Sequence, residues 1–176
     1  QVTANGFIAF GMTFVILTGG IDLSVGSILA LSSALTAGLI AAGIPVPFAI
    51  LLAVCMGGIF GMLNGLLVAY GKLAPFIVTL ASMTIFRGAT LVFTNGNPLT
   101  QGLSDSFLFQ FLGQGYVVGI PFPVILMFLV FIILYVVLHK TAFGKSVYAL
   151  GGNEKAAYIS GVKLNKVKII IYTIRS

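Results

Sequence analysis

Few side chains in this sequence could do chemistry. Only three of the 176 residues are acids. One of them, Asp22, sits in a glycine-flanked interruption between two apolar runs, Gly19-Gly20-Ile21-Asp22-Leu23-Ser24-Val25-Gly26-Ser27. An Asp just ahead of an apolar run caps a helix N-terminus by accepting from amides that lack an intrahelical partner. The two glycines relieve the backbone where the preceding helix stops. The same break also suits a helix lining a conduction path or gate, because unpaired backbone groups at membrane depth must face protein or water. Both readings of Asp22 stay open at this point, with direct substrate binding the weaker third. Ser24 shares the break and is a path candidate with it.

Arg87 and Asn64 are the other path or gate candidates. Arg87 lies in an apolar run, where a cation costs about 2.5 kcal/mol or more by insertion scales and so must snorkel, pair or face a cavity. Asn64 and Thr79 read as hydrogen-bond partners between helices before they read as ligands for a transported molecule. Cys55, the lone cysteine, lies in an apolar run and behaves as a small hydrophobe. Nothing is spaced as a metal site, and no Gly-rich loop ends in Lys-Ser/Thr to cradle phosphate.

Composition says where these residues reside. Fifty-nine per cent of the chain is hydrophobic and 7% is charged, against roughly 25% charged in a soluble domain. Seven of the nine Lys and Arg residues fall between Lys140 and Arg175. Cations gathered in one loop, with no aromatic interleaving, point to an anionic leaflet and not to nucleic acid. They also orient the chain, since basic loops stay on the cytoplasmic side.

The elements that position these residues are membrane helices. Apolar stretches cover 6–18, 28–44, 48–70, 76–93 and 122–138, and 169–174 reads as the first turns of another span. This predicts an all-α, polytopic membrane protein with about five spans, a sixth beginning, and a broken helix near 19–27. Thirteen residues before the break are short for a crossing, so a helix that dips in and returns also fits. No charged leader precedes the first span, and both ends look cut. The chain therefore reads as one transmembrane domain over 1–176 inside a longer protein. With 139–168 inside, 94–121 is outside, where Ser104-Asp105 and 107–112 suggest a short interfacial helix. Gly26, Ala30, Ala34, Gly38 and Ala42 recur every four residues, as do Ala53, Gly57, Gly61, Gly65 and Ala69. Small residues at this spacing let membrane helices approach closely, so both runs are expected to pack.

The basic loop holds a short helix with both ends marked. Asn153 is a good N-cap, Glu154 complements the positive helix end, and Gly161 is a good stop. A helix of two turns is marginal alone in water and gains from docking. An alanine face of Ala156 and Ala157 suits insertion into a groove on another protein; a connector lying on the membrane is the competing reading.

At these residues the chain resembles the permease subunits of bacterial ATP-binding-cassette importers of the ribose, xylose and galactose type. The 19–27 break resembles that family's broken-helix signature, and Thr94-Asn95-Gly96-Asn97-Pro98 its outer-loop motif. Phe143-Gly144-Lys145, Tyr148 to Ala157 and Ser160-Gly161-Val162 resemble its cytoplasmic coupling segment. The resemblance implies a non-enzymatic, multi-pass component of the bacterial inner membrane. It implies a second permease subunit as partner, cytoplasmic ATPase subunits that bind the ATP, and an extracytoplasmic sugar-binding protein. Gly151, Gly152, Asn153, Glu154, Ala156, Ala157 and Gly161 would form the ATPase-coupling segment, driving inward movement of a sugar, ribose first, by alternating access. An ion-coupled secondary transporter is the alternative, as is a related importer for another sugar, a nucleoside or a branched-chain amino acid.

Overall fold

The computed structural model describes residues 2–97, 107–117 and 119–176. Its elements run α1 (Val2–Leu17), α2 (Val25–Ala41), α3 (Val46–Ala69), α4 (Pro75–Thr94), α5 (Phe107–Gln114), β1 (Tyr116–Val117), β2 (Ile120–Pro121), α6 (Phe122–Lys140), α7 (Ala142–Gly152), α8 (Glu154–Ile159) and α9 (Leu164–Arg175). The expected helical membrane fold is present. Three helices, α3, α4 and α6, are long and apolar enough to cross a membrane, while α1 and α2 are shorter apolar helices. At 16 residues, α1 rises only about 24 Å, less than the roughly 30 Å hydrocarbon core. Its neighbour α2 begins at Val25, three residues before the expected run. The two-residue strands pair antiparallel, Tyr116 opposite Pro121, a hairpin that the apolar periodicity did not announce. The helix expected at 107–112 is α5, whereas Ser104, Asp105 and Pro98 lie outside the described residues.

Prolines start several helices without spending a backbone donor, because the first-turn amides have no intrahelical partner: α3, α4 and α6 each carry Pro at their first or second position. Asn95 ends α4 in the left-handed region at φ 49°.

The chain folds back on itself at two ends. The α2–α3 turn packs with α5, where Ile40, Val46 and Ala49 meet Phe109. The other end gathers the α1–α2 break, the α3–α4 loop and the 154–168 segment around a cleft of about 570 Å³. Phe14 and Val15 of α1, Val68 of α3, Leu138 of α6, Val147 and Leu150 of α7, and Val167, Ile171 and Tyr172 of α9 form the main core at that end. By contrast α6 buries only Leu138, as suits a helix apolar all round that faces lipid.

The two small-residue runs part company. Gly57, Gly61 and Gly65 are buried against α9: a Cβ on Gly65 would lie 2.8 Å from Cα of Ile169, and one on Gly57 would lie 3.1 Å from the carbonyl oxygen of Ser176. The backbones of α3 and α9 therefore touch where no side chain intervenes. The run on α2 does not pack in the same way. Gly38 meets the Phe93 ring, but Gly26, Ala30 and Ala42 are exposed. The packed face of α2 is instead Ser27, Ile28, Leu31, Ala37 and Ile40, which turns the small-residue stripe away from its neighbours.

Candidate functional site

A helix that stops inside a membrane protein must satisfy its last carbonyls and release the chain cleanly. Gly19 does this for α1. Its φ is +71°, its amide donates to Ile16 O and the amide of Gly20 donates to Val15 O, the paired bonds of a glycine-terminated helix. The chain then turns inward, and Asp22 arrives among α2, α3, α4 and α9 with its side chain wholly shielded from solvent.

Around Asp22 lies a buried polar cluster. One carboxylate oxygen accepts from the Ser24 amide at 2.7 Å and from the Ser24 hydroxyl at 2.8 Å. The other faces Arg175 Nη2 at 2.6 Å, in an ion pair whose two side chains are fully buried. Arg175 Nη2 also donates to Ser24 Oγ at 3.2 Å. Asn64 Nδ2 donates to Ser24 Oγ at 3.0 Å, and Asn64 Oδ1 accepts from the Ser82 hydroxyl. Thr79 Oγ1 reaches Ile21 O at 3.3 Å. The break is thus tied to α3, α4 and α9 at once. Tyr172 lies beneath the guanidinium, 5.7 Å from ring centroid to Cζ. Its hydroxyl and Arg175 Nε and Nη1 have no hydrogen-bond partner among the described residues.

Asp22, Ser24 and Asn64 are therefore brought together, and Arg87 is not. Arg87 stays exposed on α4, outside the cluster. Asp22 is not a simple helix cap either: it takes the amide of Ser24, the residue preceding α2, and leaves the first-turn amides alone. Its other oxygen is committed to a cation. Arg175, Ser82 and Tyr172 were missed by the sequence reading. A signal for Arg175 existed, because Val167, Ile171 and Arg175 recur every four residues and share one face of α9, and all three are buried.

The second group is the short helix in the basic segment. Asn153 Oδ1 accepts from the Ala156 amide at 3.0 Å, an N-cap as expected. Gly161 ends the helix at φ +85°, with its amide donating to Tyr158 O and the amide of Val162 donating to Ala157 O. Glu154 reaches back to Lys168 of α9 at 2.7 Å. The expected alanine face is divided: Ala157 is buried, and Ala156 is exposed beside Tyr158 and Ile159, which are 71% and 85% exposed. The outward apolar face belongs to the larger side chains because Ala157 is small enough to let α8 lie against its neighbours.

The sequence reading also did not foresee α7, which leads into α8. Thr141 caps it by accepting from the Gly144 amide at 3.2 Å. Gly151, near its end, lies against the last turn of α1, while Gly152 is exposed with open space around it.

The chain is 62% identical over 174 residues to a ribose import permease protein, RbsC, of Bacillus subtilis (strain 168), covering 99% of this chain and 54% of that protein. It is 45% identical over 175 residues to RbsC of Haemophilus influenzae, again covering 99% of this chain and 54% of that protein. It is 41% identical to the D-allose transport system permease protein AlsC of Escherichia coli (strain K12), covering 99% of this chain and 53% of that protein. The chain spans about half the length of these curated relatives. No solved structure matches it. A family model described as branched-chain amino acid transport system / permease component matches residues 1–176, and the chain belongs to that family of multi-pass membrane permease components.

Proposed function

We propose that this protein is the membrane-spanning subunit of an ATP-binding-cassette importer, moving a monosaccharide inward by alternating access, with hydrolysis on a separate ATPase. Ribose is the first candidate, on the likeness to two ribose import permeases. One observation carries the reading beyond likeness: a capped helix of six residues that turns Tyr158 and Ile159 outward from a cation-rich segment. Lys155, Lys163 and Lys166 surround that face and are exposed, while Glu154 is neutralised by Lys168. Apolar tips with a basic rim fit a groove with an acidic rim on another protein. By the charge rule this end faces the cytoplasm, the side of ATP. The outer loop would receive a sugar-binding protein, and a second copy of the permease would complete the path, in the inner membrane of a bacterium.

The ion-coupled alternative is weakened by the site itself. Proton coupling needs a carboxylate free to take up and release the proton, and Asp22 is paired with Arg175 instead. The deciding experiment reconstitutes the full-length protein in vesicles with the ATPase and binding protein encoded beside it. Uptake of ribose should require all three and ATP. Uptake driven by a proton or sodium gradient without the ATPase would end the proposal.

A further inference from the structure

Two contacts join the α7–α8 segment to the helices around the α1–α2 break, one to α1, which leads into it, and one to α9, which packs against it. The first is at Gly151. A Cβ there would overlap the carbonyl oxygen of Leu17, lie 3.0 Å from that residue's carbonyl carbon and 3.5 Å from Thr18 Cα. Leu17 is the final residue of α1, so the backbones of α7 and α1 touch two residues ahead of the Gly19 stop. The second is the Glu154–Lys168 pair between α8 and α9. Seven residues further along α9, about 10 Å at roughly 1.5 Å per residue, Arg175 holds Asp22 in the middle of the break. Gly20 closes the loop of contacts, since a Cβ on it would lie 3.2 Å from the Tyr172 hydroxyl of α9.

We propose that Gly151 is a positioning residue through which displacement of the α7–α8 segment is delivered to the end of α1, with the Glu154–Lys168 pair steering α9 in step. The inference rests on the reading of α8 as the ATPase-docking helix. A backbone-to-backbone contact transmits a push without the slack of rotatable side chains, and packed elements rearrange between discrete positions instead of deforming. The segment thus grips α1, on one flank of the break, and α9, which holds Asp22, so α1 and α9 move relative to α2. The Asp22–Arg175 pair then marks where the bundle must yield. Gly151 touches neither sugar nor nucleotide.

The test uses the full-length permease assembled with its ATPase and binding protein in vesicles, scoring ATPase retention, ATP hydrolysis and sugar moved per ATP. Gly151→Ala should keep the ATPase bound and hydrolysing, while sugar moved per ATP falls about tenfold, within the range that mutations along a coupling route produce. Gly88→Ala, where an added methyl meets nothing within 4 Å, should leave the ratio unchanged. A wild-type ratio in Gly151→Ala overturns the proposal. So does loss of ATPase binding in that variant alone, which would make Gly151 part of the docking surface; failure of the docking reading would instead appear as no ATPase bound to the unaltered protein. Should Gly151→Ala not reach the membrane, Lys168→Gln decides. It removes a part-buried tether between α8 and α9, so a several-fold lower ratio with the ATPase retained supports the relay, and an unchanged ratio overturns it.

Discussion

Asp22 and Arg175 are shielded from water and hold each other and Ser24, with the Tyr172 ring beneath the guanidinium. Removing one member of such a buried pair leaves a bare charge and costs about 3–5 kcal/mol. Asp22→Ala and Arg175→Ala should each lower the thermal unfolding midpoint of the detergent-solubilised protein sharply. The double variant should be less destabilised than the sum of the two, because it strands neither charge. Additive losses would mean the two side chains do not act as a pair. The cluster has a second role that its composition explains: Ser24, Asn64 and Ser82 are short polar groups that can share hydrogen bonds without admitting a bulky ligand. That geometry suits a joint between helices better than a sugar pocket. The sugar specificity of this region should accordingly survive Ser82→Ala, measured as competition by other pentoses, even where uptake slows.

At the scale of elements, α3 and α9 are held by absence of side chains. Gly65 is buried with Ile169 Cα at close range, so Gly65→Val must separate the helices. Overpacking of this kind costs about 1–3 kcal/mol, and because α9 carries Arg175 it should also disturb the buried pair. Cysteines placed at facing positions of α3 and α9 should cross-link in the parent and fail to do so in Gly65→Val. The helix α8, proposed above as the docking element, depends on its ends. Gly161 sits at φ +85°, where a side chain costs roughly 1–2 kcal/mol and where proline cannot go at all. Gly161→Pro should therefore fray α8 and uncouple hydrolysis from uptake while the protein stays in the membrane. Tyr158→Ala with Ile159→Ala removes only exposed groups. That pair should leave the unfolding free energy within about 0.5 kcal/mol of the parent yet abolish co-purification of the ATPase. Full retention of the ATPase would refute the docking face.

For the whole molecule, one end collects the break, the α3–α4 loop and the basic segment, and the other collects the α2–α3 turn and α5. This sorting matches the order read from the basic loops, in which the chain returns to the same side at Lys72 and after Lys140. In spheroplasts, a cysteine at Tyr158 or Lys166 should resist membrane-impermeant thiol reagents until the membrane is opened, whereas one at Asn97 should react at once. Reversal of that pattern would remove the ATPase from reach of α8. The exposed apolar faces of α3, α4 and α6 suit contact with lipid or with further membrane helices.

Periodicity and end signals act within a few residues of each other, so they were legible in one dimension. They yielded the apolar helices, the glycine stop, the Asn153 cap and the Gly161 terminus, each a local demand of backbone geometry or of hydrocarbon. Which residues meet across the fold is another matter. Arg175 and Asp22 are 153 positions apart, and nothing near Asp22 names its counter-charge; Arg87 was as plausible on the page. The glycine run on α3 and the similar run on α2 look alike as strings, yet the first meets the backbone of α9 while in the second Gly38 meets the Phe93 ring. The split of Ala156 from Ala157 likewise followed from how α8 came to rest. Tertiary structure decided these points because pairing and burial depend on the register of distant helices. A linear pattern records what each helix can offer, whereas the packed bundle determines what it meets.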